Sequence, residues 1–403
     1  MYLTKEVRSL MWLMAAYYFL QIMGGNPGLH AQALDKYLVD ELGLSGASMG
    51  TFAFIVTLPF MVKPLWGILT DFFPILGYRR KSYFIMSGLL AATVCFFIAG
   101  LPAAPSFATL ATLCALFTVS IAMADVVCDG TMVEKGTPLN ACDKIQSAQW
   151  IAAGTAGILV ALSKGYIAEY VPLQQAILFS VGFPIATVFL TLFFLKEKRV
   201  TSASASRKEA LVGLKQALRS KTLWCCAIFI FLWNLSPNLG SVFYLYEKTV
   251  LKFSDVLIGY IDTTAEIGGI LGYASFILFW NKLDRILLFK TLVILGTLST
   301  LSFLFLSNAE SAFVIIPLSS FVGSVALMAI LTLAAKACPK NAEALVFASL
   351  MGIYNFGAKG GGIMGGMVYD RVGYDTLIYI GAGTTLLMWF FLPLIREKEG
   401  HTT

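Results

Sequence analysis

The chain has 403 residues, of which 58% are hydrophobic and 13% charged, with a formal net charge of +6. Soluble domains carry about 25% charged residues, so this composition excludes a water-soluble fold and points to an all-α integral membrane protein. The excess of lysine and arginine sits in loops and needs no nucleic acid to explain it.

A helix needs about 20 mainly apolar residues to cross a bilayer. The sequence predicts twelve such spans, over 9–34, 47–71, 82–101, 106–133, 143–168, 174–195, 222–246, 255–280, 286–307, 311–335, 343–369 and 374–395. Short segments of alternating hydrophobicity, the mark of a membrane barrel, are lacking. The spans form an N-terminal six-helix half over 1–195, a cytoplasmic basic linker over 196–221 and a C-terminal six-helix half over 222–403.

Span one carries Tyr17, Tyr18, Gln21, Asn26 and His30. Span two contains Lys63 and ends in Asp71, before a turn with Arg79, Arg80 and Lys81. Asp125 and Asp129 lie one turn apart on span four, with Glu134 at its end. Lys63 is eight residues from Asp71, about 12 Å along a helix, which puts it at the depth of Asp125 and Asp129 and predicts an ion pair with one of them. An acid facing a basic turn likewise predicts a cytoplasmic latch of Asp71, Arg79, Arg80 and Glu134.

Gln149 and Trp150 follow on span five, and Trp233, Asn234, Pro237 and Asn238 on span seven, where Pro237 predicts a kink that leaves backbone free to line a cavity. Span eight bears Asp262 and Glu266, and span eleven holds Lys359 among seven glycines. Charges inside a bilayer are expensive and usually face the bundle interior. Lys63, Asp125, Glu266 and Lys359 are therefore expected substrate-binding residues, and with them the polar and aromatic Trp150, Gln149, Trp233, Asn234, Tyr18 and Gln21 gathered on spans one, five and seven. Glu266, Asp125 and Asp129 are the expected proton-coupling acids, with mid-span Glu266 the first choice. Two carboxylates on one turn do not both ionise cheaply, as reversible proton uptake requires.

The surface stretch 207–220 has Leu211, Leu214 and Leu218 at helical spacing and is expected to lie along the membrane. Basic residues gather between spans two and three, four and five, six and seven, eight and nine, and ten and eleven, and after span twelve, whereas 102–105 and 308–310 lack them. Both termini are then expected in the cytoplasm. The halves echo one another: Gly154 and Gly157 correspond to Gly357 and Gly360, 203 residues on. With seven scattered cysteines and two histidines, no metal site, disulfide framework or cofactor is expected.

Gly67-x-Leu69-x-Asp71 followed by Gly77-x-Arg79-Arg80 resembles the loop between the second and third helices of major facilitator superfamily carriers. Lys63-Pro64-Leu65-x-Gly67, Pro74-Ile75-x-Gly77-Tyr78-Arg79-Arg80 and the string from Ala124 through Asp125 and Asp129 to Glu134 are similar to the folate–biopterin transporter family. The resemblance implies two similar six-helix halves with substrate bound near the midplane. It also implies transport of folates and pterins such as folic acid, 5-formyltetrahydrofolate, methotrexate and biopterin, driven by protons, by a monomer in the lipid bilayer. A pterin ring offers a donor pair to a carboxylate and a flat face to an aromatic, and the glutamate tail of a folate calls for a cation. The competing expectation is a major facilitator carrier for another organic anion, such as a peptidoglycan fragment or acyl-coenzyme A. A receptor without transport lacks the large polar loops it needs, and an enzyme lacks a nucleophile–base or metal constellation.

Overall fold

The structure, a computed structural model, describes residues 4–25, 28–102, 105–139, 141–199, 219–240, 242–337 and 343–395. Asn26, most of the 207–220 stretch, Lys340, Arg396 and Lys398 lie outside the described residues. Regular structure among them is helical, apart from one bridge between Ile75 and Tyr78 in the basic turn.

Among the described residues, eight helical segments are long and apolar enough to cross a membrane: Gly46–Asp71, Lys81–Ala99, Phe107–Leu139, Lys144–Tyr170, Leu173–Phe194, Arg285–Phe305, Ala309–Ala337 and Tyr374–Ile395. The other four expected spans also fall on helices. α1 (Lys5–Gly25) is diluted by Tyr17, Tyr18 and Gln21, and the chain turns at Gly28 before α2 (Ala31–Lys36). Span seven divides into α10 (Lys221–Asn234) and α11 (Phe243–Thr249). α12 (Asp255–Leu278) bears three acids, and α15 (Glu343–Val372) carries Lys359, Asp370 and Arg371. Between these run α3 (Gly46–Met61), α4 (Lys63–Phe72), α5 (Lys81–Ala99), α6 (Phe107–Gly136), α7 (Cys142–Tyr170), α8 (Leu173–Ser180) and α9 (Gly182–Phe194). The second half continues with α13 (Arg285–Ser302), α14 (Ala309–Ala337) and α16 (Tyr374–Leu387).

Two breaks have clear local causes. Span two breaks at Val62, whose φ and ψ are −101° and 22°, because Pro64 in the first turn of α4 has no N–H to continue the ladder. The Trp66 indole donates to the Pro59 carbonyl across the break at 2.8 Å. Span seven breaks after Asn234 around Pro237, and the non-helical segment that follows lies against α15. A Cβ on Gly361 or Gly365 would fall 2.4 Å from the Ser236 carbonyl oxygen or 2.0 Å from that of Asn238, so only glycine admits this approach.

The chain packs as two compact units. The first contains Met1–Gly43, Ile55–Arg207 and Ser254–Tyr260, and the second Leu44–Phe54, Lys208–Phe253 and Ile261–Thr403. The core of the first unit forms where Met14 and Tyr17 of α1 meet Phe84 of α5 and Val127 and Cys128 of α6. Tyr17 stacks on Phe84 at 4.3 Å between centroids and shares a hydrogen bond with Thr191. In the second unit Phe229, Ile230, Phe289 and Val293 are fully buried at the centre. Large apolar side chains such as Phe96, Phe193 and Phe390 stay exposed, as lipid-facing surfaces require.

Candidate functional site

Lys63 is the first residue of α4, where the helix dipole already carries partial positive charge. Its ammonium leaves the helix end and forms an ion pair with Asp125 Oδ2 of α6, 5.1 Å from the ring centroid of Phe60. The other Asp125 oxygen accepts from Gln21 Nε2 at 3.1 Å. One turn further along α6, Asp129 Oδ1 accepts from the Tyr18 hydroxyl at 2.7 Å. Tyr18 in turn meets Trp150 of α7 edge to face at 6.3 Å, and Trp150 is 64% exposed.

Helices α1, α3, α4, α6 and α7 thus bring together, within one unit, one cation, two carboxylates and three aromatic rings. The carboxylates differ in partner: Asp125 holds the lysine and an amide, and Asp129 accepts from a neutral phenol. The site also offers an open aromatic face beside paired charges. Spacing along the spans predicted a pair at this depth; the fold decides that Asp125 is the hydrogen-bonded partner. Among the described residues no three histidine, cysteine, aspartate or glutamate side chains converge as metal ligands.

The remaining expected substrate residues are arranged differently. Gln149 is 1% exposed and donates to Cys128 Sγ at 3.4 Å, so its amide serves the core of the first unit. Trp233 packs on Phe229 and Phe289 in the second unit, with centroids 5.7 and 5.6 Å away. It also borders, with Asn234, Asn238 and Thr300, a cavity of about 350 Å³. The Asn234 amide is committed to the Ile230 carbonyl at 2.7 Å. Glu266 lies exposed on α12 and Lys359 half-buried on α15, both in the second unit. His30 of the first unit hydrogen-bonds Ser180 and packs on Phe117, a structural placement.

The charged cluster at the end of span two centres on Arg80. Its guanidinium donates to Asp71 at 2.6 Å, Thr70 at 3.2 Å and Glu134 at 3.4 Å. Arg79 is not arranged this way: its buried Nε has no hydrogen-bond partner among the described residues. Sequence reasoning missed Glu197, which it assigned to the linker. The Glu197 carboxylate accepts from the backbone N–H groups of Arg79, Arg80 and Lys81 at 2.8, 3.1 and 2.7 Å, capping α5. The lone acid in Lys196–Glu197–Lys198–Arg199 was the signal available. Tyr18 was among the expected substrate-binding residues, but nothing in the sequence pairs it with Asp129.

A model described as the BT1 family matches residues 24–394. The chain is similar to the folate-biopterin transporter of Synechocystis sp., with 30% identity over 85% of this chain and 72% of that protein. Folate transporter 1 of Plasmodium falciparum is 25% identical over 79% of this chain and 65% of that protein. A crystal structure of the nucleoside transporter NupG superposes with a TM-score of 0.74 at 16% identity, covering 96% of this chain and all of that one. At that identity the likeness is one of fold.

Proposed function

The chain belongs to the BT1 family, and we propose that it moves folates or pterins by alternating access, coupled to protons. It is a multi-pass membrane protein of the major facilitator superfamily fold and a transporter, not an enzyme. The finer reading is carried by the Lys63–Asp125 pair beside Asp129, Tyr18 and Trp150.

Each group matches one part of the substrate. Trp150 offers its exposed face to a pterin ring, and Asp129 accepts the ring's N–H donors. Lys63 receives the anionic tail of a folate. A substrate carboxylate arriving at Lys63 displaces Asp125, and the displaced acid, left in a desolvated site, takes a proton. Substrate anion and proton then enter together. Asp129 is the second proton acceptor in this scheme, because its hydrogen-bond donor is a neutral phenol. Glu266 in the second unit remains the alternative coupling acid. The basic loops assign both termini to the cytoplasm. The Arg80 cluster, with Asp71 and Glu134, fastens spans two, three and four on that side.

Purified protein is tested by thermal shift against folates, pterins and nucleosides, since a ligand bound to the native state raises apparent stability. A shift with folate or pterin and none with nucleosides is expected. In proteoliposomes with an imposed proton gradient, Asp125→Asn is expected to abolish uphill accumulation while leaving counterflow exchange. Wild-type accumulation and pH dependence in that variant rule out Asp125, and the same measurement on Asp129→Asn and Glu266→Gln then tests the alternatives.

A further inference from the structure

The turn between α4 and α5 holds two features that neither the Lys63 site nor the Arg80 cluster uses. One is Leu76. Ile75 and Tyr78 exchange backbone hydrogen bonds at 3.1 and 3.0 Å, and the two residues between them, Leu76 and Gly77, have φ of 55° and 81°. A two-residue turn of this kind needs positive φ at both positions, which glycine supplies without strain and leucine does not. Leu76 is also 81% exposed, so no packing within the protein offsets its strain, and Phe73 and Ile75 beside it are exposed too. Strain kept where no internal contact compensates it points to a contact outside the chain.

The other feature is a set of cations. Arg80 takes the carboxylates of Asp71 and Glu134, and Glu197 is committed to the backbone N–H groups of Arg79, Arg80 and Lys81. Arg79, Lys81, Lys196, Lys198 and Arg199 are left with no carboxylate partner among the described residues. Arg79 Nε, shielded from water, has no acceptor among them either, a cost that a bound anion removes. The Glu197 cap draws 197–199 alongside the turn. The Arg199 guanidinium lies over the Tyr78 ring at 5.6 Å, and a Cβ on Gly77 would fall 3.5 Å from Arg199 Cγ. Lys81 Nζ reaches the Leu192 carbonyl at 3.0 Å, which carries the positive charge to the end of α9, where Phe193 and Phe194 are exposed.

Unmatched cations beside lipid-facing rings, with a projecting leucine next to them, have the chemistry of a phospholipid site rather than of a site for a soluble anion. The cations suit a negatively charged headgroup, and the exposed rings suit acyl chains. We propose that this turn and the end of α9 bind an anionic phospholipid, with Arg79 and Arg199 on the headgroup phosphate, the chains along Phe193 and Phe194, and Leu76 anchored among neighbouring lipids. All of these residues belong to the first unit, and the site is separate from Lys63 and Asp125, so its test needs no transported substrate.

Purified full-length protein is titrated with phosphatidylglycerol or with phosphatidylcholine of the same acyl chains, and bound lipid is read by native mass spectrometry. Phosphatidylglycerol is expected to bind more tightly. Arg79→Gln combined with Arg199→Gln is expected to weaken it by about 20-fold, roughly fivefold for each basic residue at an anionic surface, and to leave phosphatidylcholine unchanged. Lys221→Gln combined with Lys282→Gln removes the same charge elsewhere and is expected to change little. Equal losses in the two double variants mean that net charge alone attracts the lipid, and the proposal falls. It falls too if glycerol phosphate, a headgroup without chains, displaces the lipid at equal concentration, because the site then takes a free anion. Leu76→Gly separates anchor from fold. Relief of strain is expected to leave the unfolding temperature in detergent equal or higher, while phosphatidylglycerol binding weakens several-fold. A lower unfolding temperature with unchanged lipid binding makes Leu76 a structural residue and removes the anchor. Arg199 is exposed, so Arg199→Gln alone, with an expected loss of about fivefold, decides the matter if the double variant does not fold.

Discussion

Arg80 and Lys63 both meet a carboxylate of α6, Arg80 at Glu134 and Lys63 at Asp125, but the water around them differs. The side chains of Asp71 and Glu134 are 47% and 49% exposed, whereas that of Asp125 is 11% exposed. In the open cluster the two acids keep much of their hydration although Arg80 itself is buried, so several contacts are needed to fix its guanidinium. At Lys63 a single carboxylate and one ring suffice, because Asp125 is shielded from competing water. The first arrangement suits a fastening; the second suits an exchange in which one carboxylate replaces another.

The largest effect is expected at the desolvated pair. Lys63→Ala leaves Asp125 without its cation, and breaking a buried pair costs about 3–5 kcal/mol. Adding Asp125→Asn is expected to restore most of that stability, read by thermal unfolding. Additive losses in the double variant break the contrast. Next comes Arg80→Ala, which removes charge-assisted bonds to two half-exposed acids and is expected to cost about 2 kcal/mol. That loss should shrink in high salt, as screening affects exposed charges more than buried ones. Equal salt sensitivity of the Lys63 and Arg80 variants means that the two environments do not differ as described.

Glu197→Ala is expected to cost about 1 kcal/mol, the usual worth of a helix cap, and to speed hydrogen exchange at Arg80 and Lys81 in the first turn of α5. Unchanged exchange there removes Glu197 from the cluster. The smallest stability effect belongs to Trp150→Ala, within about 0.5 kcal/mol for an exposed residue. The same variant should nevertheless lose the thermal shift given by a pterin. A retained shift separates Trp150 from ligand recognition.

Gln149 and Trp150 show where sequence reading stops. They are neighbours on α7, and both were expected at the site. One is sealed in the core against Cys128 and the other lies open beside Tyr18. A helix apolar on nearly every side gives no amphipathic stripe from which to read its rotation. A pair between Lys63 and either Asp125 or Asp129 was legible because depth along a span follows from rise per residue alone. Arg79 and Arg80 are adjacent arginines, and only the close of the turn, with Ile75 bridged to Tyr78, gives Arg80 its three partners.

Hydrophobic content and charge placement by themselves determined that the chain is helical and crosses a membrane, and which residues put charge within its apolar spans, since the bilayer forces backbone groups into helices and makes each charge conspicuous. Tertiary structure decided the partners. Tyr18 and Asp129 are 111 residues apart, Arg80 and Glu197 117, and Gly46 and Asp370 324. Such contacts depend on the rotation and packing of whole helices, and in a span apolar all round no local preference encodes that rotation.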